Sequence, residues 1–162
     1  MNRKNFNVLK DTKTHKELVL ASCWIMAKYF LSINEKDKAI NIVERGWTHD
    51  LSKFGREELE MLAQINDNHE TMRNADKELP PEMKDYLKLH YKHNTHHPEH
   101  WEDVSQMPEM DVVEMCCDWH ARSVQYGTDL LEFAKTRQET RFHFPPEMFE
   151  KILKLCEVLA SS

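Results

Sequence analysis

An excess of positive charge is missing from these 162 residues: 22 lysines and arginines face 28 aspartates and glutamates, for a formal charge of −6. That balance argues against broad binding to nucleic-acid backbones, while a local basic pocket stays open. An export signal is missing too. The opening MNRKNFNVLK is basic, but no apolar stretch with a small-residue cleavage site follows it. The apolar run LVLASCWIMAKYFLSI (18–33) is interrupted by Lys28 and is short for a membrane span. It reads as a buried helix, so no membrane partner is expected. Cysteine is sparse: Cys23, Cys116, Cys117 and Cys156 match no disulfide framework and no CxxC metal site. Adjacent Cys116 and Cys117 read as small hydrophobes packed on a helix, and reduced thiols point to a cytoplasmic location. Alternating strand runs, internal repeats and low-complexity stretches are all absent, and glycine occurs only three times.

What is present is helical pattern. The length suits one domain, and 40% hydrophobic with 31% charged residues suits a globular chain. A first helix is expected over 12–33, capped by Asp11 or Thr12. The next, over 35–52, carries Ala39, Ile40, Val43 and Trp47 at spacings of three and four, one apolar stripe. Residues 55–68 repeat the pattern with Leu59, Leu62 and Ile65. A polar loop (74–85) leads through Pro-Pro into a helix from about Pro81 to about Asn94. Pro98 disfavours helix at His97. Further helices are expected over 108–126, stopped by Gly127, and over 128–140 and 145–160. The reading is one all-α domain, residues 1–162, built as a bundle of about six or seven helices.

Histidine is the unusual ingredient. There are ten, and six of them lie between residues 90 and 120. The segment HYKHNTHHPEHW (90–101) holds five: His90, His93, His96, His97 and His100. On a helix His90, His93 and His97 would share one face. Neutral imidazole is the commonest metal ligand, and imidazoles with one or two carboxylates suit Mn, Fe, Co, Ni or Zn. Carboxylates are offered by Asp50 and by Asp111, Glu114 and Asp118, which align on one face of the 108–126 helix. EMCCDWHA (114–121) is otherwise apolar, so an acid there needs a partner or a metal. Trp47 and Trp119, near these acids, are expected in the core.

In chain order the candidates run His15, then His49-Asp50, then the histidine cluster, then Asp118. That order on an all-helical chain resembles the HD-domain superfamily of metal-dependent phosphohydrolases, over residues 15 to 126 or so. HDLSKF (49–54) resembles the HDxGK form of HD-GYP phosphodiesterases and of HD-fold di-iron oxygenases, with Ser52 in place of the glycine. HDLSKF, HYKHNTHHPEHW and EMCCDW together resemble a family of mostly uncharacterised bacterial and viral HD-like proteins. The GYP part is absent, which argues against cyclic di-GMP as substrate.

The resemblance implies His15, His49, Asp50 and Asp118 as ligands of one divalent transition metal. The number of ions, one or two, stays open: in a two-metal site His90, His96 and His97 would hold the second ion, with His69 a weaker candidate, and in a one-metal site they would line the phosphate pocket with Lys92 and Arg122. Asp50 would also reach a nucleophilic water, and Lys53 would meet substrate charge. Asn94 could orient an imidazole. Lys92, Asn94 and Arg122 complete the expected substrate pocket. The expected function is hydrolysis of a small phosphate ester, a nucleotide by family analogy. The alternatives are a di-iron oxygenase and a non-catalytic metal- or nucleotide-binding module. Homo-oligomerisation is left open.

Overall fold

The computed structural model describes residues 3–65 and 81–162. Among them are seven α-helices and no strand: α1 (Arg3–Ser32), α2 (Lys36–Thr48), α3 (Arg56–Ile65), α4 (Pro81–His93), α5 (Glu109–Tyr126), α6 (Leu130–Arg137) and α7 (Pro146–Ala160). The all-α expectation is met. None of these helices is long and apolar enough to cross a membrane. The candidate ligand His69 and most of the expected 74–85 loop lie outside the described residues.

The chain divides into two compact units. The larger takes residues 15–49 and 95–162. Its core is assembled from α1 (Val19, Cys23, Met26, Phe30), α2 (Ala39, Ile42), α5 (Val112, Val113, Met115, Cys116, Trp119) and α7 (Ile152, Leu155, Leu159). All four cysteines are buried free thiols. Gly127 ends α5 in the left-handed conformation, φ 66°, where a glycine pays no Cβ penalty. Asp129 caps α6 by accepting from the Glu132 backbone N–H at 2.8 Å.

The smaller unit takes residues 1–14 and 50–94. Here α3 and α4 pack through Met61, Leu62, Met83, Tyr86 and Leu87. A short 3-10 helix, Leu51–Phe54, precedes α3.

Three expectations are corrected. The first helix starts at Arg3, not near residue 12. Thr14 Oγ1 turns back to the Lys10 carbonyl at 3.0 Å, as a hydroxyl inside a helix does. Trp47 and Ile40 are not core; each is 60% exposed. The buried row of α2 is Ala39, Ile42 and Gly46 instead. A Cβ on Gly46 would meet Leu20 and Cys23 at 3.0 Å, so the glycine takes the close-packed position and the tryptophan beside it turns outward. Finally, α4 stops at His93, so His97 does not continue its face. His97 is extended (φ −85°, ψ 126°) and leads into the 3-10 turn Pro98–His100, as the proline requires.

Candidate metal centre

In the larger unit, four segments each deliver part of one polar cluster. His15 lies on α1, His49 follows the last residue of α2, His96 and His97 sit in the turn before Pro98, and Glu114 and Asp118 occupy successive turns of α5. His15, His49, His96 and Glu114 are all buried. Ligand atoms of His15, His49 and Asp118 all lie within 4.8 Å of one another, as do those of His96, His97 and Asp118. His15 Nε2 is 2.8 Å from Asp118 Oδ1, and His49 Nε2 is 4.0 Å from the same oxygen. The His49 and His96 ring centroids are 4.4 Å apart, and those of His96 and His97 are 4.2 Å apart.

Glu114 stands behind two of these rings. Its Oε1 is 2.8 Å from His49 Nδ1 and 3.2 Å from His96 Nδ1. Its Oε2 accepts from Arg45 Nε at 2.8 Å. Arg45 also pairs with Asp111, which accepts from Thr95 Oγ1, and Trp101 Nε1 donates to the Thr95 carbonyl at 2.9 Å. The turn carrying His96 and His97 is therefore fastened at Thr95 and at His96. Engaging Nδ1 of a histidine fixes its tautomer and directs Nε2 elsewhere. Burial pushes the Glu114 pKa up, but the His49 and His96 donors overcome it and hold the acid well below its ordinary value. Asp118 follows the same logic. Burial raises its pKa, yet His15, then His49 and Arg122, bring it well below the usual carboxylate range.

The donor chemistry fits a metal. Asp118 Oδ1 is buried and accepts no hydrogen bond of normal geometry. An ionised buried carboxylate amid imidazoles, with their outer nitrogens held from behind, is the composition that divalent transition metals favour. Buried His, Asp and Glu groups able to hold an ion are thus present.

The smaller unit gathers a second set. Asp50 is left-handed, φ 53°, a conformation that aspartate tolerates better than most residues. Its Oδ2 accepts from Lys53 Nζ at 2.5 Å, and its Oδ1 is 3.4 Å from His90 Nε2. Buried Glu58 meets His90 Nδ1 at 3.0 Å and His93 Nδ1 at 3.3 Å. Burial pushes Glu58 up, but His90 and Ser52 bring its pKa below the ordinary value. Burial depresses the pKa of His90, with Glu58 opposing. Asn94 is buried; its Nδ2 donates to Ser52 Oγ and to the His90 carbonyl, both at 2.8 Å. Its place is behind His90, an orienting position. Lys92 is exposed on α4. Arg122, on α5 of the larger unit, is half-buried and its Nη1 donates to Gln125 at 3.2 Å.

Sequence reasoning singled out Asp118 and noted Glu114 on its face, but not the double hold of Glu114 on His49 and His96. It missed Arg45 and Glu58 altogether. Each is an ordinary charged residue in a helical pattern, and only its partners in the folded chain distinguish it.

A family model described as a family of unknown function (DUF5662) matches residues 4–157. No curated protein and no solved structure matches the chain.

Proposed function

We propose that this chain, which belongs to the DUF5662 family, is a metal-dependent phosphohydrolase of HD-domain type acting on a small phosphate ester, with a nucleotide as the first substrate to try. The observation that carries the reading is the convergence of buried His15, His49 and His96 with half-buried His97 and Asp118, with Glu114 behind two of the rings. His15, His49 and Asp118 would hold the ion, and His96 and His97 would complete its shell or hold a second one. When bound, such an ion lowers the pKa of a coordinated water towards roughly 7 and offsets charge on phosphoryl oxygens.

The remaining roles belong to the chain itself. Glu114 and Arg45 fix the imidazoles. By the HD resemblance alone, Asp50 would be a metal-ligating carboxylate that also orients the attacking water, and Lys53 would be the cation for the substrate's anionic group. Lys53 is paired with Asp50, so its ammonium is already ordered. Asn94 and Glu58 keep His90 in place. Lys92 and Arg122 are the further cations offered to a phosphate.

The test pairs metal analysis with a phosphate-ester and nucleotide panel on protein purified without a histidine tag. Bound Mn, Fe, Co, Ni or Zn and chelator-sensitive phosphate release support the reading. Metal with oxygen uptake in place of phosphate release replaces it by the di-iron oxygenase. Metal with neither leaves a binding module. No metal after incubation with these ions ends all three.

A further inference from the structure

The outer side of the α1–α2 hairpin carries an apolar patch that the metal-site reading leaves unused. Trp24 is 50% exposed, Leu31 56%, Ile40 60% and Trp47 60%. Large apolar side chains clustered in water mark an interaction surface. On each helix the pair is spaced by seven residues, two turns, and so shares one row. Leu20 lies on the Trp24 row, and it is Leu20 that a Cβ on Gly46 would meet. The row on α1 therefore borders α2, and the Ile40–Trp47 row lies just past Gly46 on the facing edge.

The register of the hairpin is fixed by three contacts. Cys23 abuts Gly46, Lys38 Nζ lies 6.0 Å from the Phe30 ring centre, and Lys16 Nζ donates to the His49 carbonyl at 3.1 Å. The helices are antiparallel, with Trp24 and Trp47 near one level and Leu31 and Ile40 near another. Between those levels stand Lys28 on the outer flank of α1 and Glu44 on the outer flank of α2, both exposed.

We propose that this face is a homodimer interface whose two-fold axis runs along the hairpin, laying α1 of one copy on α2 of the other. The charge pattern selects both the occupant and the axis. With the axis along the hairpin, Lys28 faces the partner subunit's Glu44, Leu31 faces the partner subunit's Ile40, and Trp24 faces the partner subunit's Trp47. Because the interface is isologous, each contact occurs twice. An axis across the hairpin would instead stack Lys28 on the partner subunit's Lys28 and Glu44 on the partner subunit's Glu44, which is repulsive. The face is complementary to itself in one arrangement only.

Sedimentation equilibrium on the full chain tests this, with circular dichroism confirming that each variant folds. Wild type should be a dimer. Lys28→Glu and Glu44→Lys should each weaken it by ~10-fold or more, since each variant opposes like charges twice. Mixing the two variants should restore dimers, because the mixed pair regains both opposite-charge contacts. A wild type that stays monomeric at millimolar protein overturns the proposal. So does a dimer that the single substitutions leave intact, or a mixture no tighter than its components.

Discussion

One oxygen of Glu114 meets Nδ1 of both His49 and His96, while its other oxygen accepts from Arg45. Two rings from separate segments are thus set by a single carboxylate. In Glu114→Gln one oxygen survives, but an amide N–H₂ must then face either the guanidinium or the imidazoles, donor against donor. We expect metal affinity to fall about 10- to 100-fold, read by titrating cobalt into the metal-free protein and following its visible absorption. Unchanged affinity with a lowered melting temperature would reduce Glu114 to a packing role. Lys53→Ala separates two functions in the other unit. It removes one partner of buried Asp50, whose other oxygen lies 3.4 Å from His90, so stability should fall by about 1.5–3 kcal/mol. If Lys53 also meets substrate, kcat/KM should drop about 10- to 150-fold, the worth of one charge-assisted hydrogen bond. Metal content should stay at the wild-type level; loss of metal would reassign the residue to holding the ligands.

At the scale of elements, the helices were legible because apolar residues recur with the helical period, and Gly127 and Pro98 mark ends by chemistry that needs no tertiary context. The start of α1 was not legible, since Asp11 and Thr12 look like a cap while the helix continues through them to Arg3. The facing of α2 was misread for a sharper reason. Ala39, Ile40, Val43 and Trp47 and the true row of Ala39, Ile42 and Gly46 differ by little more than one position, about 100° of rotation. Periodicity alone ranks the row with the larger residues higher, and here the glycine row is the buried one. The contact to Leu20 and Cys23 decides it, and that contact spans more than twenty residues of sequence. Gly46→Ala should therefore destabilise the protein by about 1–3 kcal/mol through overpacking, measured as a fall in the denaturant midpoint. It should also weaken metal binding, because α1 and α2 carry His15 and lead to His49. Gly127→Ala makes the control: strain from the left-handed conformation should cost about 1–2 kcal/mol without affecting metal.

Across the whole molecule, motif order found His15, His49 and Asp118, which the fold gathers from the first helix, the end of the second and the fifth. It could not find what pairs Glu114 with His49 or Glu58 with His90, because the partners lie 65 and 32 positions apart and no local pattern links them. A cluster assembled from four segments has a thermodynamic consequence. Its ligands are far apart in the unfolded chain, so an ion that binds them favours the folded state alone. At 100 times its dissociation constant such an ion adds about 2.7 kcal/mol. For a chain of this size that corresponds to a rise in melting temperature of roughly 5–10 °C. Calorimetry should show this rise when Zn, Mn or Fe is added to chelator-treated protein, at constant protein concentration so that self-association does not contribute. Asp118→Asn should lose most of the rise, since it removes the one carboxylate shared by the His15–His49 and His96–His97 pairs. A melting temperature indifferent to every ion tested would mean that the buried histidines serve packing and hydrogen bonding alone. An equal rise in Asp118→Asn would place the ion elsewhere in the chain.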